Sequence, residues 1–407
     1  MRFKISLLII CSFLLQPTAN AASFTEVKSK VDLAYTGNEQ VSDLLLSKSN
    51  ILVIGTTEAA TTTWIAGTLG GASDGFISTI SNAGAPLWSL RLGGTSNEIA
   101  TSAAVDADGT IWVIGASNLV VNKTPNPTPS KLLNPDNVDI SPTTPTNTSL
   151  TKLNLWQVSS NGQLLNSFET QTVGVVNPQK ILVTQTGVSV FGSFYEKSTV
   201  KGFFTTISKT GAFAPVIKYG VKQTQLTDAI QNSDGSYSVV GKSADLLLKV
   251  KPLSKGDAIS LKLSAKGVLQ QVARATLKST TRSWESISAG LLQGGSVKYA
   301  SKSEAAVTKF SALGKPTWNN RYLANSGALV ATGSNSWATF VSSGVIAGVP
   351  SWKPKTPSSI VLELGKKGEV ISASAISGLP VAIARNNEIG TVVITDSGTS
   401  FGIVLIN

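Results

Sequence analysis

The sequence predicts an all-β fold, a seven-bladed β-propeller of four-stranded antiparallel blades. Three observations lead to this prediction. A short element that ends in a turn glycine recurs six times along the chain, seven further hairpins alternate with its copies, and the chain ends on half a repeat. The copies of the element are mostly about 50 residues apart, a period that is typical of propeller blades.

The recurring element is clearest in segments 75–84 and 202–211, which agree at six of ten positions. Its core is an apolar residue, a serine, two further residues and a glycine. A glycine between two strand-like runs fits a hairpin turn that requires a positive φ. We name the two strands that it joins C and D. The closing glycines are Gly84, Gly162, Gly211, Gly267, Gly314 and Gly368.

A second hairpin, with strands A and B, lies between one strand D and the next strand C. Strand B is almost continuously apolar, as in 111–114, which is typical of a strand buried on both faces. Strand A is rich in Ala, Ser and Thr, which suits the crowded centre of a ring. The predicted A–B hairpins are 41–55, 99–115, 179–192, 226–241, 286–301, 326–342 and 379–395.

Only six C–D turns accompany these seven hairpins, so one blade lacks a strand. The C-terminal segment 401–407 matches strand C and stops where its turn should begin, and the N-terminal segment 24–33 is the strand-like stretch left over. Pairing of 24–33 with 401–407 would close the ring and remove its open edges. Prolines that follow C–D turns place strand D outermost, because proline is tolerated on edge strands; they are Pro86, Pro215 and Pro316.

The first residues predict export. Arg2 and Lys4 precede an apolar run over 5–15, and small residues at 19 and 21 form a cleavage site. This run is too short for a membrane-spanning helix, which needs about 20 residues. We therefore expect residues 1–21 to be a removed signal peptide and 22–407 to form one propeller domain. The mature protein is expected to be secreted, periplasmic or on the cell surface, without a membrane span.

The composition excludes much chemistry. The sequence has no histidine, and its one cysteine, Cys11, lies in the signal segment. Histidine-based acid–base catalysis, thiolate nucleophiles and zinc sites built from His or Cys are therefore excluded in the mature chain. No cofactor is expected and no metal site, since Asp106 and Asp108 fit a hairpin turn better than a calcium site. The net charge of +11 is spread along the chain, so no nucleic-acid partner is expected.

One repeat carries a resemblance. Segment 90–94 (LRLGG) followed by 104–115 (AVDADGTIWVIG) resembles the repeat of secreted bacterial seven-bladed propellers, the SBBP-type repeat, and is also similar to NHL repeats. The resemblance implies a propeller over residues 24–407 and an extracellular or cell-surface module. It implies no particular ligand or reaction.

Two tryptophans fall outside the repeated strands, in B–C connections. The B–C and D–A loops of a propeller share one face, where an aromatic ring could stack on a ligand. Trp352 with Lys353 and Lys355, and Trp64 on another blade, are therefore the candidate ligand-binding residues. The alternative is that each ring folds back onto the blade below it. Tryptophans that recur at equivalent strand positions are predicted to pack: Trp88, Trp112, Trp318 and Trp337.

Three acidic residues could meet at the channel mouth. Asp43 and Asp228 fall early in strand A, and Glu285 precedes another strand A. Paired carboxylates are what glycoside hydrolysis requires. A carboxylate-dependent glycan hydrolase or lyase is therefore one functional hypothesis, with these three as its catalytic residues.

The leading hypothesis is a non-enzymatic, monomeric binding or scaffold module for an envelope polymer, a polysaccharide or a protein. A purely structural envelope protein is a third hypothesis. The Pro- and Thr-rich stretch 118–147 interrupts the repeat spacing and is too polar to build a core, so it is predicted to be a mobile loop insertion.

Overall fold

The computed structural model describes residues 21–119 and 149–406. The predicted signal peptide, apart from Ala21, lies outside the described residues. So does the predicted insertion, apart from Asn118 and Leu119. Both stay predictions.

The described chain forms 29 strands and one short 3₁₀ turn, Ala289–Leu291. It begins with β1 (Ser23–Glu26) and β2 (Val31–Ala34). Blade I contains β3 (Glu39–Ser47), β4 (Asn50–Thr57), β5 (Asp74–Ser81) and β6 (Pro86–Leu92). Blade II contains β7 (Glu98–Val105), β8 (Ile111–Asn118), β9 (Leu150–Val158) and β10 (Leu164–Gln171). Blade III contains β11 (Val175–Thr184), β12 (Gly187–Glu196), β13 (Thr199–Ser208) and β14 (Ile217–Tyr219).

The second half of the ring continues in the same order. Blade IV contains β15 (Thr224–Gln231), β16 (Tyr237–Ser243), β17 (Asp257–Leu263) and β18 (Leu269–Ala275). Blade V contains β19 (Thr281–Ser288), β20 (Leu292–Lys298), β21 (Ser303–Phe310) and β22 (Pro316–Leu323). Blade VI contains β23 (Leu329–Thr332), β24 (Ser336–Ser342), β25 (Ser358–Leu364) and β26 (Val370–Ile376). Blade VII contains β27 (Leu379–Asn386), β28 (Gly390–Asp396) and β29 (Ser400–Ile406).

The seven antiparallel blades confirm the predicted fold. In blades I to V the four strands lie side by side in chain order, with the first innermost and the fourth outermost. Each of the seven predicted A–B hairpins is present. The six C–D turn glycines all have φ between +74° and +90°, the left-handed region that the turn requires.

Ring closure occurs as predicted, with one correction. β2 pairs antiparallel with β29, from Val31 opposite Ile403 to Ala34 opposite Ser400. It thereby supplies the missing fourth strand of blade VII. However, segment 24–33 is not one strand. Its first part, β1, pairs parallel with β26 and becomes a fifth strand of blade VI, because the chain bends away between Val27 and Lys30. The N-terminus therefore fastens two neighbouring blades.

Neighbouring blades pack through their middle strands and through the C–D turns. Every residue of β8 is buried, as the apolar pattern of strand B predicts. Outer-strand tryptophans lie against the turn glycine of the next blade. A Cβ added at Gly162 would lie 2.5 Å from Trp88, and one added at Gly368 would lie 2.8 Å from Trp318. Only glycine fits there, which explains why tryptophan and glycine recur together.

Strand direction defines two faces of the ring. Strand A begins at the end of the blade that carries the D–A and B–C connections, which we call the loop face. The A–B and C–D turns lie on the opposite face, which we call the turn face. The long B–C connections, 58–73, 244–256 and 343–357, therefore share the loop face.

Candidate functional site

The innermost strands enclose a central cavity of about 640 Å³. Six of these seven strands carry a β-bulge near their midpoint. A bulge re-aims the side chains next to it. The residues that directly follow the bulge are Asp43, Ser102, Lys180, Asp228, Ser286 and Ala382.

Lys180 joins two of the predicted acidic residues. Its Nζ lies 3.6 Å from Asp43 Oδ2 and 3.9 Å from Asp228 Oδ1, so these two oxygens are at most 7.5 Å apart. The structure therefore brings Asp43 and Asp228 together, in the middle of the innermost strands rather than early in them. Glu285 lines the same cavity. The Ser283 hydroxyl donates a hydrogen bond to Glu285 Oε1 at 3.3 Å.

Both aspartates also hold neighbouring blades together. Asp43 Oδ2 accepts hydrogen bonds from the Ser102 hydroxyl at 2.6 Å and the Ala103 N–H at 3.3 Å, across the boundary between blades I and II. Asp228 Oδ2 accepts from the Ile287 N–H at 2.8 Å, across the boundary between blades IV and V. Buried backbone donors need such acceptors. The two carboxylates therefore join adjacent innermost strands.

The ionisation of this cluster follows from its burial and its charges. Desolvation raises the pKa of Asp228, against the opposing effect of the Lys180 charge. Desolvation by itself would lower the pKa of Lys180, but Asp43 and Asp228 outweigh it, so this pKa lies above its ordinary value. Lys180 therefore stays protonated between the two acids.

This geometry restricts what the channel can do chemically. A glycosidase needs one carboxylic acid that donates a proton and a second carboxylate that faces the sugar or a water. Here an ammonium group lies within ion-pair distance of both acids, and their oxygens also accept hydrogen bonds from the backbone. The cluster is organised as a structural ion-pair network.

The two candidate tryptophans are packed into the protein. Trp352 is 5 % exposed and its Nε1–H donates to Ser342 Oγ at 3.1 Å. Trp64 is 6 % exposed and its Nε1–H donates to the Ala34 carbonyl at 3.1 Å. The Trp352 ring thus folds back onto its own blade, the alternative that the sequence left open, whereas the Trp64 ring packs between blades I and VII. Their role in ligand binding stays a prediction, whereas Lys353 and Lys355 are exposed.

A charged pair that sequence reasoning missed recurs on the loop face. It joins the start of strand C to the end of strand D, and its members are always 17 residues apart. The pairs are Asp74–Arg91 at 3.6 Å, Lys152–Glu169 at 2.6 Å, Asp257–Arg274 at 3.4 Å and Glu304–Arg321 at 3.4 Å.

Blade III departs from this pattern because lysines occupy both positions. Lys201 and Lys218 each form an ion pair with Glu196, at 2.9 and 2.7 Å. Hydrogen bonds from Lys218 and Lys201 lower the pKa of Glu196 to about 2. The constant spacing of opposite charges is the sequence signal that could have identified the set.

The loop face of blade IV carries a small cleft with unneutralised positive charge. The cleft has a volume of about 260 Å³ and is lined by Lys242 and Lys255 together with Gln225 and Thr281. Both lysines are exposed. Neither forms an ion pair with any residue of the described ranges. Two ammonium groups beside an amide and a hydroxyl form an arrangement suited to an anionic group.

The acidic residues nearest to this cleft already have other ion-pair or hydrogen-bond partners. Asp257 is buried and paired with Arg274. Asp245 accepts hydrogen bonds from the N–H groups of Val221, Lys222 and Gln223. These acids therefore anchor the loop between β16 and β17 and do not neutralise the exposed lysines.

No family model and no curated protein matches the sequence. Among solved structures, a protein from Lactobacillus plantarum aligns with a TM-score of 0.49 at 12 % identity over 89 % of this chain and 93 % of its own. BBS1N in complex with ARL6DN aligns at 0.45, with 10 % identity over 96 % and 95 %. Sqt1 from Chaetomium thermophilum aligns at 0.44, with 9 % identity over 94 % and 100 %. Likenesses this distant transfer neither ligand nor activity, and the seven-bladed ring rests on the strand pairing.

Within residues 21–119 and 149–406 no helix is long and apolar enough to cross a membrane. The same ranges contain no group of three acidic side chains placed to hold a metal ion.

Proposed function

We propose that the protein is an exported, non-enzymatic propeller that binds a polyanionic envelope polymer through its loop face. The observation that carries this proposal is the blade IV cleft, where Lys242 and Lys255 face solvent without a carboxylate partner in the described chain. Exposed lysines that are not neutralised attract anionic ligands. Lys353 and Lys355, on the loop face of blade VI, are a second contact in this proposal.

Further lysines around the cleft support the proposal that it binds a polyanion. The basic excess of the chain is spread along the sequence, but further exposed lysines lie in the connections beside the cleft. They lie in the D–A connections before and after blade IV and in its B–C connection: Lys222, Lys249, Lys251 and Lys278. A long polymer could contact several of them at once, and each contact would add to the affinity.

The compartment is part of the same proposal. The predicted signal peptide over 1–21 and the likeness of 90–115 to SBBP-type and NHL repeats both favour an extracellular or cell-surface module. Cell-envelope polymers are frequently acidic, so a basic loop face suits that location.

Two matched double variants test the proposal. Lys242→Gln/Lys255→Gln should weaken binding to an immobilised acidic polysaccharide at least about tenfold, since charge-assisted contacts contribute roughly 1.5–3 kcal/mol each. Lys315→Gln/Lys366→Gln removes the same charge from the turn face and should leave affinity almost unchanged. Binding of the wild type should also weaken as salt rises.

The comparison of the two double variants tests whether the loop face is the binding site. Equal losses in both variants would reduce the interaction to net charge and contradict the loop-face site. No binding by the wild type to acidic or neutral polysaccharides would contradict the polymer-binding proposal.

The channel acids keep the glycan hydrolase or lyase as a second candidate. Asp43 and Asp228 lie within 7.5 Å of each other, a limit set by their 3.6 and 3.9 Å contacts to Lys180, which is close enough for the carboxylate pair of a glycosidase. Release of reducing ends from a polysaccharide by the wild type, lost in folded Asp43→Asn and Asp228→Asn proteins, would favour this candidate. Absence of any release would reject it.

A further inference from the structure

The B–C connection of blade IV, residues 244–256, exposes apolar side chains; we call it the blade IV loop. Leu246 is 54 % exposed, Leu248 49 % and Leu253 76 %. Between the first two, Leu247 is only 4 % exposed and packs into the core of blades III and IV. The loop is thus held by one leucine while its neighbours face solvent. Several large apolar side chains exposed within one loop indicate an interaction site.

The equivalent connection of blade VI, residues 343–357, contains a similarly closed turn; we call it the blade VI loop. A two-residue turn is closed by the pair Leu247–Val250 in the blade IV loop and by Ile346–Val349 in the blade VI loop. Counted from these pairs, Leu253 occupies the position of Trp352. The two loops are therefore related by the propeller repeat.

The two loops differ in what covers them. On blade VI, the N-terminal strand lies over the loop, where the Phe24 ring is 6.0 Å from the Trp352 ring and the Ala22 N–H donates to the Gly348 carbonyl at 2.9 Å. Trp352 is 5 % exposed as a result, whereas Leu253 is 76 % exposed. No segment of the described chain covers the blade IV loop in this way.

The turn of the blade IV loop has an unusual conformation. Leu248 has φ +43° and Lys249 has φ +65°, a left-handed region that residues other than glycine and asparagine rarely adopt. Turns of this type usually contain Asn-Gly. Backbone strain of this kind is concentrated at binding sites. Here it places a leucine and a lysine together at the tip.

The base of the loop is rigid. Arg274 donates hydrogen bonds to the carbonyl groups of Ser243 at 3.0 Å and Val250 at 3.4 Å, and it also contacts the Asp245 carbonyl. The Leu253 N–H donates to Asp257 Oδ2 at 2.9 Å. The exposed side chains are therefore presented on a fixed backbone, so little conformational entropy is lost on binding.

The charged side chains of the blade IV loop indicate which kind of partner it binds. Lys249 and Lys251 are exposed and lie between Leu248 and Leu253 in the chain. A soluble polyanion would use the lysines and leave the leucines in water. Protein interfaces are depleted in lysine and favour aromatic residues and arginine. Leucines flanked by lysines suit the boundary of a lipid bilayer, where apolar groups enter the acyl region and ammonium groups remain at anionic headgroups.

We propose that the blade IV loop docks the propeller on an anionic lipid surface. Leu248 and Leu253 enter the interface, and Lys249 and Lys251 bind the headgroups. This inference goes beyond the polymer-binding function, because it uses the outward side chains of the loop rather than the cleft formed by Lys242 and Lys255.

The experiment measures co-flotation of the full mature chain with phosphatidylcholine vesicles, with and without phosphatidylglycerol. The wild type should bind only the anionic vesicles. Leu248→Ser/Leu253→Ser should reduce partitioning at least about tenfold, from the lost burial of two apolar side chains. Lys249→Gln/Lys251→Gln should reduce it about fivefold for each charge removed.

A matched control comes from the turn face. Val268 is 61 % exposed and Leu313 is 78 % exposed in the C–D turns of blades IV and V. Val268→Ser/Leu313→Ser should partition like the wild type, and thermal melts should show that every variant is folded.

The proposal is overturned by absence of vesicle binding, by equal binding to neutral vesicles, or by a leucine variant that binds like the wild type. Binding of an acidic polysaccharide that is weakened in Lys242→Gln/Lys255→Gln but unchanged in Leu248→Ser/Leu253→Ser tests the polymer function separately. The two proposals can therefore fail independently.

Discussion

The blade IV and blade VI loops follow similar paths through a closed two-residue turn but differ in what covers them. Both are B–C connections, and both contain a two-residue turn closed by an apolar pair. In the blade VI loop the sixth residue after the first member of this pair is Trp352, which is buried beneath the N-terminal strand; in the blade IV loop it is Leu253, which is exposed. The repeat therefore determines the path of the loop. Whether the loop is buried or available to a partner depends on whether another segment, here the N-terminal strand, lies over it.

The largest expected effect contrasts the two equivalent side chains. Trp352→Ala should lower the free energy of unfolding by about 3–5 kcal/mol, as for other buried tryptophans. Leu253→Ala should change it by at most about 0.5 kcal/mol, because an exposed residue loses little packing. Urea denaturation measures both. Similar losses in the two variants would show that Leu253 is also buried in solution.

A smaller effect concerns the carboxylate that anchors the blade IV loop. Burial would raise the pKa of Asp245, but hydrogen bonds from Gln223, Thr224, Val221 and Lys222 outweigh this and lower the pKa below its ordinary value of 3.8. A lowered pKa means that the ionised carboxylate stabilises the folded state above pH 3.8, and that this contribution is lost as pH falls through the folded-state pKa.

Asp245→Asn should therefore cost about 1.5–3 kcal/mol at neutral pH. The difference from the wild type should shrink as pH falls below 3.8, the ordinary value. Unfolding free energies measured across this pH range test the expectation. A difference that is constant with pH would show that the charge of Asp245 does not stabilise the loop.

The smallest expected effect concerns the N-terminal strand that covers the blade VI loop. Phe24 is half-buried against Trp352, so Phe24→Ala should cost about 1–2 kcal/mol, less than full burial of an aromatic side chain would give. It should also expose Trp352 and shift its fluorescence to longer wavelength. Thr25→Ala, on the same strand, serves as the control. An unchanged emission spectrum would indicate that the ring is protected without Phe24.

The repeat made most of the fold predictable from the sequence. A glycine turn every 50 residues or so and an apolar strand B are local signals, and the structure has all seven A–B hairpins and all six turn glycines where they were expected. The pairing of β2 with β29 followed from counting strands. The separate strand β1 did not, because its parallel pairing with β26 adds a fifth strand to a blade that was already complete.

The candidate site was harder to predict. Trp352 and Trp64 lie outside the repeated strands, and position outside a repeat says nothing about what covers a ring. Asp43 and Asp228 were named as residues that could meet, and they lie close together, but Lys180 between them was not foreseen, because a single lysine on a central strand has no sequence pattern. The exposed leucines of 244–256 also look like an ordinary apolar run until burial is known.

The pairing of the N-terminal strands β1 and β2 with strands near residues 370–406 affects when the ring can close during folding. The partner of β2 is β29, the last described strand, and the partner of β1 is β26. Residues 23–34 therefore find no native partner until the chain has been synthesised as far as β26 and β29. Contacts between such distant segments form slowly, because a long loop must close first. If the chain is exported, the ring would stay open until β29 has crossed the membrane.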